Sequence, residues 1–291
     1  MKKLLITGSS GFLGWHICQL AQEKWQVFGT YNSHEIPIPG CQLMPVDLTD
    51  FQALKSLFLE IRPDAVIHAA AQSQPNVCQT YPEESYKINV TAASDLAGLC
   101  ADAEIPCVFT STDLVFDGLN APYAETDAVC PVSRYGEQKV QAEVEMGDRN
   151  PQTIVCRMPL MFGEGGPAAQ SFLQPMLQTL RSGQELALFT DEFRTPVSGK
   201  TAAQGLLVAL KQNEKLLHLG GKERVSRYGF FEQVIEILEV GEGRIKPCRQ
   251  QDVKMSAPRP PDVSLDSSKA FSLGYNPLPL RSQLAELVGR V

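Results

Sequence analysis

The feature that most constrains this chain is a glycine-rich turn near the N-terminus, between a short apolar run and an amphipathic stretch. Residues 7–14 read Thr-Gly-Ser-Ser-Gly-Phe-Leu-Gly, directly after the apolar residues 4–6. Glycines at this spacing permit a tight strand-to-helix turn, let backbone amides approach a pyrophosphate and let the helix pack closely on a sheet. The helix N-terminus adds free N–H groups and a partial positive charge. The pattern predicts a dinucleotide site that includes Gly8, Ser10, Gly11, Phe12, Leu13 and Gly14.

Strand-like and helix-like segments alternate through the first 160 residues. Apolar runs lie at 3–7, 26–30, 42–46, 65–70, 107–111 and 153–157, with amphipathic stretches near 12–24, 50–61, 82–103 and 133–147. This alternation predicts an α/β fold with a doubly wound parallel sheet, covered by helices on both faces. We expect residues 1–156, with part of 198–220, to form the cofactor domain. Residues 157–197 and 221–291 then form a smaller substrate-binding lobe.

Composition excludes several classes of function. The chain has 291 residues, with 26 Lys+Arg against 33 Asp+Glu, so its net charge is −7. An acidic chain is a poor partner for nucleic acid or an acidic membrane. No run approaches the roughly 18 apolar residues of a membrane span. The eight cysteines include no C-x-x-C pair, which predicts no metal site and free thiols in a reducing, cytoplasmic setting.

The residues after the second predicted strand bear on the choice of dinucleotide. A dinucleotide fold usually carries an acid there, which holds the ribose hydroxyls. Here Asn32 and Ser33 follow the strand, and no acid occurs before Glu35. Uncharged side chains suit a 2′-phosphate better than a carboxylate does, so the sequence favours NADP(H), with NAD(H) as the alternative. Asp47 and Leu48, at the end of the third strand, are expected near the adenine.

A tyrosine and a lysine are placed for proton transfer. Tyr135 and Lys139 stand four residues apart in the predicted helix 133–147 and therefore share one face. A neighbouring ammonium favours the phenolate and draws the tyrosine pKa down from about 10 toward neutrality. Ser111 and Thr112 end the fifth strand, at the edge where parallel sheets bind ligands. We therefore expect Thr112 to orient a carbonyl, Ser111 to lie beside the cofactor, and Tyr135 and Lys139 to handle the proton.

These motifs, in this order, resemble an extended short-chain dehydrogenase/reductase over nearly the whole chain. Residues 111–118, Ser-Thr-Asp-Leu-Val-Phe-Asp-Gly, resemble more narrowly the dTDP-4-dehydrorhamnose reductase group, as does the segment Arg259-Pro260-Pro261-Asp262. The resemblance implies a Rossmann domain, a C-terminal substrate lobe and reduction of a 4-keto sugar on a nucleotide diphosphate. It also implies that Thr112, Tyr135 and Lys139 are catalytic and that Ala69, Ala70 and Ala71 line the cofactor.

Two departures from that group concern the sugar. The group usually carries Tyr where this chain has Leu114, and Trp in the segment where this chain has Leu160. Both changes leave the cofactor prediction intact and leave the identity of the sugar open. Related dehydratases carry an acid at the position of Leu114, and a leucine cannot transfer a proton, so dehydration is disfavoured.

Other functions and the substrate contacts stay open at this point. A regulatory subunit resembling that of methionine adenosyltransferase would keep the same fold and dinucleotide site. A sugar-nucleotide epimerase is a further alternative, although those enzymes usually carry the acid that is missing after the second strand. Arg157, Arg194 and Arg259 fall in segments that border the C-terminal lobe and are candidates for gripping the substrate diphosphate. The expected partners are a nucleotide sugar and a second copy of the chain in a homodimer.

Overall fold

The computed structural model describes residues 1–241 and 243–291. Within them the strands are β1 (Lys3–Thr7), β2 (Gln26–Tyr31), β3 (Cys41–Pro45), β4 (Ala65–His68), β5 (Cys107–Thr112), β6 (Thr153–Met158), β7 (Met161–Phe162), β8 (Glu185–Phe189), β9 (Phe193–Arg194), β10 (Val197–Ser198), β11 (Leu216–His218), β12 (Val225–Ser226) and β13 (Arg244–Cys248).

Seven of these strands form one parallel sheet in the order β11-β6-β5-β4-β1-β2-β3. Every residue of β4, β5 and β6 is buried, as expected when helices cover both faces of a parallel sheet. The strand order reverses between β1 and β4. Doubly wound sheets bind ligands at such a switch point, outside the carboxyl ends of the strands. The predicted α/β fold with a Rossmann-type parallel sheet is confirmed.

The helices of the described residues are α1 (Phe12–Ala21), α2 (Phe51–Ile61), α3 (Pro75–Thr80), α4 (Pro82–Tyr86), α5 (Ala92–Asp102), α6 (Arg134–Arg149), α7 (Leu173–Arg181), α8 (Gly199–Ala209), α9 (Arg227–Ile237), α10 (Ser268–Ser272) and α11 (Leu280–Ala285). Several begin at a side-chain cap that satisfies a free backbone amide. The Asp50 carboxylate accepts from Gln52 N and Ala53 N at the start of α2, and Ser133 Oγ accepts from Gly136 N at the start of α6.

Hydrophobic cores lie on both faces of the sheet and in the C-terminal lobe. On one face α1 packs on β1 and β2, and α8 packs on α1 and β6; on the other face α5 packs on β4, α6 packs on β5, and α2 packs on α5. A separate core of the C-terminal lobe is built from α7, α9 and α11. The chain passes between these cores several times, because α8 and β11 return to the sheet after β7 to β10, and α10 packs on β11 after α9.

The structure differs from the predicted elements in two places that matter for the site. The single helix predicted at 82–103 consists of α4, a π-helical turn at Lys87–Thr91 and α5, because Asn89 in that turn bonds sideways to the Gln72 backbone and to Gln138 Oε1. The parallel pair β8–β13 was not predicted, because both strands are largely exposed and β13, with Arg244, Lys246 and Pro247, has no apolar run.

The described residues contain no disulfide, no membrane-spanning helix and no cluster of metal-binding side chains. All eight cysteines are free thiols. None of the helices in the described part of the chain has the length and apolarity needed to cross a bilayer. Among residues 1–241 and 243–291, no three His, Cys, Asp or Glu side chains are grouped so that they could hold a metal ion.

Candidate active site

A cavity of about 1200 Å³ lies at the carboxyl edge of the sheet, between the sheet and the C-terminal lobe. It brings together the glycine turn after β1, the ends of β2, β4 and β5, one face of α6 and the arginines of the lobe. Of the residues predicted from the sequence, all except Ser33 and Arg157 line it. The cavity volume is ample for an elongated ligand pair such as a dinucleotide and a nucleotide sugar.

The glycine turn forms one end of the cavity. Gly8 has a φ of 71°, and a Cβ there would lie 2.8 Å from Ala70 Cα. A Cβ on Gly14 would collide with the carbonyl oxygen of Gly8. Gly11 is the N-cap of α1 and no side-chain hydrogen bond caps this helix, all of which lies in the described residues. The first turn therefore presents backbone amides to the cavity, as a phosphate site requires.

At the end of β2 the side chains that line the cavity, Tyr31 and Asn32, are uncharged, and Asp47 contributes one carboxylate after β3. Desolvation and the nearby Glu35 carboxylate raise the pKa of Tyr31. Tyr31 and Asn32 line the cavity, whereas Ser33 is exposed and its hydroxyl pairs with His34 Nδ1 at 2.9 Å. Asp47 Oδ1 accepts from Thr49 N at 2.9 Å and from Thr49 Oγ1 at 2.7 Å, and these bonds lower the pKa of Asp47. Asp47 is therefore ionised and oriented beside the cavity at neutral pH.

Tyr135 and Lys139 lie on the face of α6 that packs against β5, and both are buried. The Lys139 ammonium lies 4.0 Å from the centroid of the Phe109 ring. Burial lowers the pKa of Lys139 to about 7, although the nearby Glu143 carboxylate opposes this shift. Protonated and neutral Lys139 are therefore both populated near neutral pH.

The Tyr135 phenol is held in its protonated form. Burial raises its pKa, the Asp113 carboxylate raises it further, and a hydrogen bond with Thr112 partly opposes the rise. From the sequence, Lys139 is expected to lower the Tyr135 pKa toward neutrality. In the structure burial has the larger, opposite effect and raises that pKa. A neutral phenol in this position is a proton donor rather than a base.

A buried histidine, His68, lies next to Lys139 and stacks on Phe109. Thr7 Oγ1 and His68 Nδ1 are 2.7 Å apart, and the same hydroxyl accepts from the backbone amides of Ala69 and Ala70. Burial and the positive charge of Lys139 lower the pKa of His68 to about 3. His68 is thus a neutral packing group, and its bond to Thr7 fixes the backbone that faces Gly8.

Three arginines surround Glu192 on the C-terminal side of the cavity. Arg194 Nη2 lies 3.3 Å from Glu192 Oε1, and Arg194 Nη1 lies 3.3 Å from Asp113 Oδ2. Arg227 stacks on Phe172 at 4.2 Å, and burial lowers its pKa to about 10. Among the described residues, Nη1 of Arg194, Arg227 and Arg259 has no hydrogen-bond partner. Buried donors of this kind call for an anionic or polar ligand.

Arg157 does not reach the cavity, which corrects its placement among the substrate-binding candidates. Its guanidinium donates to both carboxylate oxygens of Glu143, at 3.1 Å and 2.8 Å, and lies 5.1 Å from the Phe116 ring centroid. Arg157 lies inside β6, and its side chain meets Glu143 on α6, the helix that packs against this strand, so it is held away from the cavity. Glu143 also accepts a short hydrogen bond of 2.5 Å from Ser111 Oγ.

Sequence reasoning missed several residues of the cavity wall. Arg227 begins α9, and no local pattern distinguishes it from a surface arginine at a helix start. Asn76 lies in the unpredicted α3, and its Oδ1 accepts from Ala257 N at 3.1 Å and from Arg259 Nη2 at 3.4 Å. Lys87 reaches the cavity from the π-helical turn. The contacts of Asn76 join segments 181 and 183 residues apart, and Arg227 stacks on Phe172 of another element, so spacing along the chain carries no signal for them.

Comparison with known proteins finds similarity along the whole chain. The family model described as the RmlD substrate binding domain matches residues 1–291. The chain is 32% identical over 288 residues to the probable low-salt glycan biosynthesis reductase Agl14 of Haloferax volcanii, covering 97% of this chain and 96% of that protein.

Two further similarities bear on function. A crystal structure of a dTDP-4-dehydrorhamnose reductase from Clostridium acetobutylicum superposes with a TM-score of 0.85 at 26% identity, and 98% of each chain is covered. Subunit beta of methionine adenosyltransferase 2 from Xenopus laevis is 27% identical over 284 residues, covering 94% of this chain and 83% of that protein.

Proposed function

The chain belongs to the RmlD substrate binding domain family, and from this premise we propose that it is an NADPH-dependent reductase of a 4-keto group on a nucleotide-diphosphate sugar. The family predicted from its motifs is thereby confirmed. The observation that carries the proposal is the joint placement of Thr112, Tyr135 and Lys139 in one cavity wall, with the glycine turn at one end and Arg227 and Arg259 at the other.

The residues present fit a dinucleotide. Gly8, Gly11 and Gly14 line the cavity at the start of α1, and a Cβ at Gly8 or Gly14 would collide with neighbouring backbone, so glycine is what allows the turn to bring the first amides of α1 to a pyrophosphate. Asp47 and Leu48 lie where the adenine is expected, and Ala69 to Ala71 line the middle of the cavity. A bound reduced nicotinamide supplies the hydride. The side chains at the end of β2 that line the cavity, Tyr31 and Asn32, are uncharged, which supports NADP(H) over NAD(H).

Each catalytic side chain then has a separate task. The Thr112 hydroxyl orients the substrate carbonyl by a hydrogen bond. Tyr135, whose pKa is raised, donates its proton to the oxygen as negative charge develops there. Protonated Lys139 stabilises the phenolate that is left and holds the ribose of the cofactor. Since these groups are buried, their charges act in a medium of low dielectric constant, where they are more effective than in water.

The arginines support a diphosphate substrate. Arg227 and Arg259 each keep one buried Nη1 without a partner among the described residues, and a diphosphate accepts several such bonds. Arg194 is held by Glu192 and Asp113 and borders the sugar end instead. Leu114 and Leu160 give this end an aliphatic wall.

A second candidate function is a regulatory subunit that binds NADP. The similarity to subunit beta of methionine adenosyltransferase 2 favours it. The retained Thr112, Tyr135 and Lys139 favour the reductase, because a purely regulatory site needs no proton donor. An epimerase is less well supported, since the acid that would hold the NAD ribose is missing after β2.

The test is oxidation of NADPH, followed at 340 nm, with a panel of 4-keto sugar nucleotides. Turnover with at least one of them is expected. Binding of NADPH without turnover of any sugar, together with stoichiometric capture of a methionine adenosyltransferase catalytic subunit, would support the regulatory function instead. The eight free thiols support a reducing compartment such as the cytoplasm. The homodimer stays a prediction that sedimentation can test.

A further inference from the structure

Two cysteines on one face of the central sheet, Cys18 and Cys41, form a pair of neighbouring thiols. Cys18 lies in α1 and is fully buried, whereas Cys41 begins β3 and is partly exposed. Cys41 Sγ lies 3.6 Å from the backbone carbonyl oxygen of Cys18, and the two thiols are hydrogen-bonded to each other. The two sulfur atoms are therefore already close in the folded protein, although the residues are 23 positions apart in the sequence.

The pair lies where an irregular segment of the chain returns to the sheet. Residues 32–40, between β2 and β3, have no regular helix or strand. Ile36 and Ile38 anchor this segment in the same core to which Cys18 belongs, and Cys41 N donates to Ile38 O at 3.1 Å. A bond between the two sulfur atoms would tie the end of this segment directly to α1.

The two thiols differ in reactivity. The hydrogen bond from Cys18 lowers the pKa of Cys41, although burial opposes this shift, whereas the same bond and burial raise the pKa of Cys18. The thiolate is the form that attacks an oxidant, and Cys41 is also the member of the pair that solvent reaches. Cys41 is therefore the thiol that reacts first, and Cys18 is held beside it to react second.

We propose that Cys18 and Cys41 are a reversible disulfide site, which hydrogen peroxide oxidises selectively and which a small thiol reopens. In the first step the Cys41 thiolate attacks one peroxide oxygen, the O–O bond breaks, Cys41 becomes a sulfenic acid, and the departing hydroxide takes up a proton to form water. In the second step the Cys18 sulfur attacks the Cys41 sulfur, the S–O bond breaks, and the hydroxyl leaves with the Cys18 proton as a second water. Two thiols lose two electrons in total, and one peroxide is reduced to two waters.

The disulfide stabilises one end of the cavity. The loop that it closes contains β2 and the cavity residues Tyr31 and Asn32. Closing a loop of 23 residues removes conformational freedom from the unfolded chain, which raises the midpoint of thermal unfolding of a protein of this size by about 5 °C. The disulfide forms whether or not the protein reduces a sugar, because none of these contacts involves Tyr135 or Lys139.

A second thiol pair in the same molecule separates closeness from access. Cys100 and Cys107 are hydrogen-bonded to each other on the opposite face of the sheet, but both are fully buried. Peroxide is therefore expected to leave Cys100 and Cys107 reduced. If closeness alone decided oxidation, both pairs would be oxidised together.

The experiment treats the full chain with hydrogen peroxide, blocks the remaining thiols with N-ethylmaleimide in denaturant and identifies disulfide-linked peptides by mass spectrometry. A link between Cys18 and Cys41, a rise of about 5 °C in the unfolding midpoint and reversal of both by dithiothreitol are expected. Cys41→Ser is expected to lose the link and the rise, whereas the matched control Cys130→Ser, which removes an exposed thiol elsewhere, keeps both. In Cys18→Ala the sulfenic acid at Cys41 persists and is captured by dimedone, which provides the test if Cys41→Ser does not fold.

Several outcomes would overturn the proposal. A wild-type protein in which Cys18 and Cys41 stay reduced contradicts the disulfide site, and a link between Cys100 and Cys107 that forms as fast contradicts its selectivity. A link that leaves the unfolding midpoint unchanged, or an equal rise in Cys41→Ser, contradicts the stabilising effect. A Cys18→Ala protein that gives no dimedone adduct at Cys41 contradicts the order of the two steps.

Discussion

Arg157 and Glu143 form a buried, bidentate ion pair close to Lys139 and outside the cavity. The two hydrogen bonds measure 3.1 Å and 2.8 Å, and the side chains are 5% and 10% exposed. Glu143 stands one helical turn after Lys139 on α6, and its charge raises the pKa of Lys139 against the effect of burial. Arg157, in turn, holds the Glu143 carboxylate in place through both hydrogen bonds. The pair therefore acts on the active site through Lys139 without entering the cavity.

Removal of the Glu143 charge is predicted to shift the pH profile. In Glu143→Gln the pKa of Lys139 falls below its present value of about 7, because the opposing negative charge is gone. If protonated Lys139 is the active form, kcat then declines at a lower pH than in the wild type. Glu145→Gln, on the same helix, is the matched control, since the Glu145 carboxylate accepts from Gln141 Nε2 and does not line the cavity among the described residues.

The same variant also leaves Arg157 buried without its partner, which is expected to lower the free energy of unfolding by about 3–5 kcal/mol. Chemical denaturation measures that loss, and the kinetic profile is taken where both proteins are folded. An unshifted profile in a folded Glu143→Gln enzyme would show that the charge of Lys139 does not limit turnover.

Tyr135→Phe is predicted to lose kcat by about 100-fold or more, because the proton donor is removed while the ring and its packing stay. The dissociation constant for NADPH is expected to change little. Stopped-flow single turnover and a fluorescence titration measure the two quantities. Tyr86→Phe is the control, since Tyr86 is 42% exposed and outside the cavity. Full activity in Tyr135→Phe would refute the assigned mechanism.

Gly14→Ala is predicted to abolish dinucleotide binding, because the new methyl group collides with the Gly8 carbonyl and displaces the turn. Gly147→Ala is the matched control. Gly147 lies in α6, and a methyl group there would meet no atom within 4 Å, so alanine is expected to stabilise the helix by up to about 1 kcal/mol and to leave binding unchanged. Calorimetric titration with NADPH distinguishes them, and normal affinity in Gly14→Ala would contradict the phosphate-binding turn.

Acid is predicted to destabilise the protein between pH 6.5 and about 4. Burial lowers the pKa values of His16 and His218 to about 4 and that of His68 to about 3, each from 6.5. In this pH range these histidines bind protons in the unfolded chain but stay neutral in the folded protein. The free energy of unfolding therefore falls as the pH falls. For each histidine, a tenfold difference in proton affinity between the folded and unfolded states corresponds to about 1.4 kcal/mol.

Urea denaturation across this pH range measures the effect. His68→Gln is expected to flatten the pH dependence. The exposed His34→Gln is expected to leave it unchanged. A wild-type free energy of unfolding that stays constant from pH 6.5 to 4.5 would show that the buried histidines accept protons without penalty.

The sequence was most informative where function depends on neighbours along the chain. The glycine turn and the Tyr135/Lys139 pair are local patterns, with a single strand-to-helix turn and one helical turn fixing their geometry. The arginines were harder, since Arg157, Arg194 and Arg259 look alike in sequence. Their positions differ because Glu143 on α6 binds Arg157 outside the cavity, whereas Glu192 and Asp113 bind Arg194 in the cavity wall. Glu192 and Glu143 are near their arginines in the sequence, but which arginine pairs with which acid depends on how β9 and α6 pack, and Asp113 is distant from Arg194. The packing that makes Arg227 part of the site is also non-local.

The repeated passage of the chain between the sheet and the C-terminal lobe has a consequence for how such a protein can be altered. Because α8, β11 and α10 lie with the sheet, while α7 before them, α9 between β11 and α10, and α11 after them lie in the lobe, the lobe is not one continuous insertion. It cannot be exchanged with that of a relative by a single pair of junctions. A change of substrate specificity is therefore easier to obtain by single substitutions of residues that line the cavity. Leu114 and Leu160 are suitable positions, because they line the cavity and take part in no ion pair of the described residues.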